Sequence, residues 1–152
     1  MLGYLVDGSK ILLGFKKRGF GEGKLNGFGG KLEANESFEQ AMLREAEEEL
    51  GIIPEKYFEA AELMFYDRSS PEFFVKVFVV ARWRGIPKES DEIKPLWFDI
   101  GELPFNMMWE DDEHWLPLVL SGKRVKASFW YKDLFGNNPK ILRHKVEICN
   151  IP

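Results

Sequence analysis

A chain of 152 residues is long enough for one domain with a sizeable buried core. At 45% hydrophobic and 14% aromatic it is not a disordered chain, and a net charge of −4 gives no electrostatic footprint for duplex nucleic acid. The same charge repels a small anionic substrate unless bound cations reverse the local field.

The first apolar run, Met1 to Val6, stops at Asp7. It is too short for a membrane span and lacks signal-peptide flanks. Cys149 is the single cysteine, so no internal disulfide can form. The expectation is a cytoplasmic monomer with neither membrane nor polymeric nucleic acid among its partners. Asp7-Gly8, between two apolar runs, predicts a hairpin. "KKRGFGEGKLNGFGGK" then places six glycines between Gly19 and Gly30, predicting a loop whose backbone can approach a ligand closely. Residues 37–50 read as a helix, with a capping-box pattern at Ser37 and Gln40 and a stop at Gly51. "ELMFYDRSSPEFFVKVFVVARW" reads as two strands joined at Ser69-Ser70-Pro71, and "PLWFDI" as another. "DDEHWLPLVLSG" predicts a short helix with Pro117 near its first turn and Gly122 at its end. "KASFWYKD" and "KILRHKVEIC" close the chain as a hairpin around Gly136-Asn137-Asn138. Strands on both sides of one strong helix predict a single mixed α/β domain spanning residues 1–152.

The helix carries an unusual stripe. At roughly 100° per residue, Phe38, Ala41 and Met42 share a face that continues into Glu45, Glu48 and Glu49, while Glu47 points elsewhere. A solvated acidic face belongs opposite the apolar stripe, not on it. Carboxylates turned toward the protein need cations, and Arg44 alone cannot neutralise three. Hard divalent ions such as Mg²⁺ can, because they favour oxygen ligands and keep part of their water shell for substrate phosphates. Just upstream, "GFGGK" offers the Gly29 carbonyl to a metal and Lys31 to a phosphate.

Residues 30–52 resemble the Nudix box, G-x5-E-x7-R-E-U-x-E-E-x-G-U, with U apolar. Gly30, Glu36, Arg44, Glu45, Ala46, Glu48, Glu49, Gly51 and Ile52 fill every defined position. The resemblance implies an α/β/α sandwich around a mixed sheet. It also implies hydrolysis of a nucleoside diphosphate linked to another group, with Mg²⁺ or Mn²⁺ as cofactor. Glu45, Glu48 and Glu49 would bind metal with the Gly29 carbonyl, Arg44 would orient the glutamates, and Glu36 would be structural. The general base is either Glu92, in the loop before "PLWFDI", or a glutamate of the box. Glu92 would reach the metal cluster as it does in related enzymes.

Outside the box, residues 12–120 resemble the MutT-like branch that hydrolyses oxidised purine nucleoside triphosphates to monophosphate and pyrophosphate. That resemblance places Lys16, Phe20, Asn26, Phe65, Trp109, Asp111 and Asp112 around the base. Trp109 offers a flat face for stacking, and Asn26 can both donate and accept. Asp111 and Asp112, facing one base edge, would share a proton and so present either a donor or an acceptor, admitting oxidised guanine and oxidised adenine alike. Three positions depart from the family. Met1 stands where the first strand carries a pocket threonine, Asp67 replaces a pocket aromatic, and Leu25 replaces a tryptophan. Other targets of the same chemistry are a methylated purine triphosphate, a nucleotide sugar or a dinucleoside polyphosphate. A Nudix-fold binding module without catalysis is the reading from a different class.

Overall fold

The computed structural model describes residues 1–68 and 70–149, with only the backbone of Ser70 and Pro71. Ser69, the centre of the expected turn, lies outside the described residues. The sheet strands are β1 (Leu2–Asp7), β2 (Lys10–Lys16), β3 (Leu25–Asn26), β4 (Phe28–Gly29), β5 (Ile53–Asp67), β6 (Ser70–Arg84), β7 (Ile93–Asp99), β8 (Arg124–Lys132) and β9 (Lys140–Cys149). Their order is β3-β2-β1-β6-β5-β8-β9, with β4 paired to β1 and β7 to β2. β1 runs parallel to β6 and β5 parallel to β8, and the other pairings are antiparallel. The sheet is therefore mixed, as expected.

Alternation along the strands feeds two cores. Tyr4, Ile11, Leu13, Val75, Val77 and Phe129 enter one, beneath helix α2 (Asp112–Leu120), which contributes Trp115, Leu116 and Val119. Leu5, Leu12, Phe78 and Val80 enter the other, beneath helix α1 (Phe38–Glu45), which contributes Ala41 and Met42. One helix on each face gives the α/β/α sandwich.

Four expectations need correction. The helix expected over 37–50 is α-helical only to Glu45, and Ala46–Leu50 form a π-helical turn closed by Gly51 at φ 69°. The glycine-rich segment is not all loop, since it holds β3 and β4. β5 begins at Ile53, nine residues before the expected start, because register shifts at Pro54, Lys56 and Glu59 break its two-residue alternation. Pro117 sits inside α2 rather than at its first turn. Gly122, at φ 94°, follows that helix where the sequence places its stop.

Candidate active site

The capping box forms as predicted. Ser37 Oγ accepts the Gln40 N–H at 3.1 Å, and Gln40 Oε1 accepts the Ser37 N–H at 2.8 Å. This start aims Arg44, in the last turn of α1, at the glutamates. Its Nε and Nη2 donate to the two oxygens of Glu36 at 2.7 and 3.0 Å. Nη1 donates to Glu45 at 2.8 Å and Glu48 at 3.1 Å, and Nη2 also reaches the Lys31 carbonyl at 3.1 Å. A planar fork can serve four acceptors in this way, whereas an ammonium cannot. The guanidinium holds the Glu36 carboxyl down to about 2.

The π turn shifts the phase of the residues that follow. Glu49 is buried, whereas the Glu48 side chain is 59% exposed. The three glutamates therefore do not share one inward face, as a regular helix would give. Glu49 has a single weak donor, the Gly29 N–H at 3.4 Å. Burial, then a hydrogen bond and repulsion from Glu45, push its carboxyl up to about 8, opposed in part by Lys16. The adjacent glycines make this crowding possible. A Cβ on Gly30 would stand 2.6 Å from Glu45 Oε1, and one on Gly29 would stand 2.0 Å from the Met1 carbonyl oxygen.

Among the described residues, no three Asp, Glu, His or Cys side chains already stand in a metal-holding arrangement. Arg44 draws Glu45 and Glu48 to itself. The donor set nevertheless fits a hard divalent cation, because the buried Glu49 carboxyl, with one weak donor, and the Glu45 carboxylate beside it form an all-oxygen group short of positive charge. Glu92 lies apart from that group. Arg18 Nε donates to it at 2.9 Å and Lys16 Nζ at 3.4 Å, and these cations lower its pKa. Lys16 also acts on Glu49, whose pKa it lowers against the other influences.

A cavity of about 260 Å³ joins this acidic end to a second polar end. Lys16, Phe20, Asn26, Gly29, Lys31, Glu49, Phe65, Trp109, Asp111 and Asp112 all line it, so ten of the residues singled out from the sequence meet in one place. Phe65 stacks on Phe129 with centroids 5.7 Å apart. Phe20 is half exposed at the mouth and tilts against both Trp109 and Phe135. Leu25 is core, not cavity wall, and Asp67 accepts the Leu134 N–H at 2.6 Å.

The aspartates are not equivalent. Both are buried. Tyr131 Oη donates to Asp111 Oδ1 at 2.5 Å, and Trp115 Nε1 donates to Asp111 Oδ2 at 2.8 Å. Asp112 Oδ2 is buried with no partner. Both line the cavity, but each Asp111 oxygen accepts from a protein donor, whereas Asp112 Oδ2 has no hydrogen-bond partner among the described residues. Neither side chain caps α2. Desolvation raises both pKa values, and for Asp112 the neighbouring Asp111 adds to the rise. Asn26 is oriented too, since its Oδ1 accepts from Tyr4 Oη and the Gly27 N–H, both at 2.9 Å. What it has left to offer is its NH₂. Sequence reasoning missed Tyr4 and Tyr131, which look like ordinary inward strand positions. Trp115 both packs in the core and donates to Asp111.

Residues 2–119 match the NUDIX domain family. Over 144 residues the chain is 41% identical to the oxidized purine nucleoside triphosphate hydrolase of Danio rerio, covering 94% of this chain and 90% of that protein. It is 39% identical over 130 residues to the protein of the same name from Mus musculus, covering 85% and 83%. Among solved structures it is similar to the MutT protein of Bacillus halodurans, with a TM-score of 0.78 at 24% identity over 96% of this chain and 95% of that one. That last likeness shows the fold. Taken with the complete box around Arg44 and the family match over most of its length, this chain belongs to the Nudix hydrolase family.

Proposed function

We propose that this enzyme hydrolyses oxidised purine nucleoside triphosphates, such as 8-oxo-dGTP and 2-oxo-dATP, to monophosphate and pyrophosphate, cleansing the nucleotide pool. The observation that carries the reading is the two-ended cavity, with Asp111, Asp112 and Asn26 at one end and the Gly29–Glu49 group at the other. Its volume, about 260 Å³, lies just below the usual range for small-ligand sites. That is room for a base and part of a sugar. The triphosphate must then lie outside, over Gly29, Gly30 and Lys31. The size favours a mononucleotide over a dinucleoside polyphosphate. A free nucleotide as substrate suits a monomeric cytoplasmic enzyme.

Nudix hydrolases need a divalent metal. Here Glu45, Glu48, Glu49 and the Gly29 carbonyl would hold Mg²⁺ or Mn²⁺, which when bound neutralises phosphate charge and lowers the pKa of a bound water. The chain's own groups do the rest. Arg44 holds Glu45 and Glu48 in place. Lys16 and Lys31 bring positive charge to the phosphate end, and Trp109 gives the base a flat face. Glu49 or Glu92 would take the proton from water. The π turn favours Glu49, which faces the cavity, whereas Glu92 is tied to Arg18 and Lys16. The deciding experiment measures initial rates with Mg²⁺ on 8-oxo-dGTP, 2-oxo-dATP, a methylated purine triphosphate and a nucleotide sugar. The oxidised purines should give the highest kcat/KM, with pyrophosphate released. A nucleotide sugar as best substrate would overturn the substrate assignment.

A further inference from the structure

We propose that Asp67 is a positioning residue for the base: its carboxylate fastens the backbone of Leu134, so that the loop of residues 133–139, between β8 and β9, forms a fixed wall of the cavity. This rests on the proposed function and adds a specificity-determining residue to it. Asp67 ends β5, two residues after Phe65 and opposite Tyr131 of β8. Its Oδ2 accepts the Leu134 N–H at 2.6 Å, across 67 positions of sequence. An N–H held by a carboxylate is among the stronger backbone ties. Leu134 is 4% exposed, belongs to the same core as Phe65 and Tyr131, and lines the cavity. Asp67 therefore acts through Leu134. Packing holds the Leu134 side chain without direction, and the hydrogen bond supplies the direction.

The loop leaves β8 in a turn of its own. Asp133 stands at φ 61°, a left-handed conformation that Asp tolerates, and its carbonyl accepts the Gly136 N–H at 3.0 Å. Its carboxyl accepts the Asn138 N–H at 3.4 Å. These bonds shape the loop but do not fasten it to the rest of the molecule. Contacts at both ends do. At the far end Glu110, beside Trp109, accepts the Ile141 N–H at 2.8 Å and pairs with Lys140 at 3.1 Å. At the near end the Phe135 ring lies 5.2 Å from that of Phe20, but both rings are more than half exposed, so they hold weakly. The bond from Asp67 fixes this end, where Leu134 meets the cavity. Without it Leu134 can swing, and that side of the cavity widens. One hydrogen bond thus sets how much bulk a base can carry there. The phosphate end, at Gly29 and Glu49, is left as it was.

The test compares Asp67→Ala with Asp67→Asn, whose amide oxygen can still accept the Leu134 N–H. With 8-oxo-dGTP, Asp67→Ala should raise KM about fivefold and leave kcat within about twofold, while Asp67→Asn keeps most of the wild-type affinity. The kcat/KM for an N-methylated purine triphosphate relative to 8-oxo-dGTP should rise about fivefold in Asp67→Ala, because the wall yields to added bulk. The KM effect of Asp67→Ala should disappear in a Leu134→Ala background. A wild-type KM in Asp67→Ala, an equal fall of kcat in both variants, or an additive double variant overturns the proposal. Amide hydrogen exchange on the free proteins reads the bond without turnover. The Leu134 N–H should be protected in wild type and Asp67→Asn, and should exchange about tenfold faster or more in Asp67→Ala. Equal protection in all three overturns the proposal as well. If oxidised purines are not hydrolysed, the substrate assignment falls by itself and the exchange rates alone decide the role of Asp67.

Discussion

Tyr4→Phe isolates a single oxygen. The Tyr4 ring is fully buried against Trp115, with centroids 6.1 Å apart, and its hydroxyl donates to Asn26 Oδ1 at 2.9 Å. Phenylalanine keeps the ring and leaves Asn26 Oδ1 with only the Gly27 N–H. Losing one neutral buried hydrogen bond costs about 1 kcal/mol, which for a chain of this size lowers Tm by about 2–4 °C. The functional cost is separate. With one anchor gone the Asn26 amide can turn over, so a bound base meets the wrong group part of the time. A loss of about 1 kcal/mol in binding raises KM about fivefold and leaves kcat nearly unchanged. The assay is steady-state kinetics with urea unfolding on wild type, Tyr4→Phe, Asn26→Ala and the double variant. If Tyr4 acts through Asn26, its KM effect vanishes once Asn26 is alanine. A full KM effect in the Asn26→Ala background, or no KM effect in either, refutes the reasoning.

Three further outcomes are expected. Activity should be lost in excess chelator and return with Mg²⁺ or Mn²⁺, and Glu49→Gln should stay folded by circular dichroism while losing most turnover; normal turnover by that variant removes Glu49 from the chemistry. Hydrolysis in ¹⁸O-water should place the label in pyrophosphate, as attack at the β-phosphorus requires, and label confined to the nucleotide would move the attack to the α-phosphorus. Asp112 bears on stability. Its folded pKa stands above the ordinary 3.8, so through the window between those values the folded state holds more protons than the unfolded chain, and stability falls as pH rises. Asp112→Asn cannot ionise, so its Tm should exceed that of wild type near pH 8 by a margin that shrinks toward pH 4. A margin that grows on acidification would reverse the assigned sign.

The chemistry of the box was legible because it depends on residue type and spacing. The capping box, Gly51 and the ion pairs of Arg44 all form where the sequence places them. The direction of each glutamate was not legible, because a helical wheel assumes one period and the turn from Ala46 to Leu50 has another. Glu48, inside that turn, is 59% exposed while Glu49 is buried. The aspartate pair was visible as two adjacent letters, but its asymmetry was not. What distinguishes Asp111 from Asp112 arrives from Tyr131, twenty residues away on another strand. Alternation marks such a residue as inward-facing without revealing that its hydroxyl has a task. The early half of β5 was hidden for a related reason, since its bulges erase the period by which strands are recognised.

The parallel pairings at the centre of the sheet bear on the order of assembly. β1 supplies Tyr4 to one end of the cavity and packs on β4 at the other, yet its neighbour in the sheet centre is β6, where Leu2 lies opposite Val77. The next parallel pair sets Phe65 opposite Phe129. Each closes a loop of more than sixty residues before any ladder contact repays the lost entropy. A growing chain therefore cannot complete the cavity until β8 has left the ribosome, carrying Tyr131 with it. An unfinished chain that ends before β8 already holds the whole Nudix box but lacks the Tyr131 hydroxyl that Asp111 accepts from, so the cavity is set in its final form only after the box has been made.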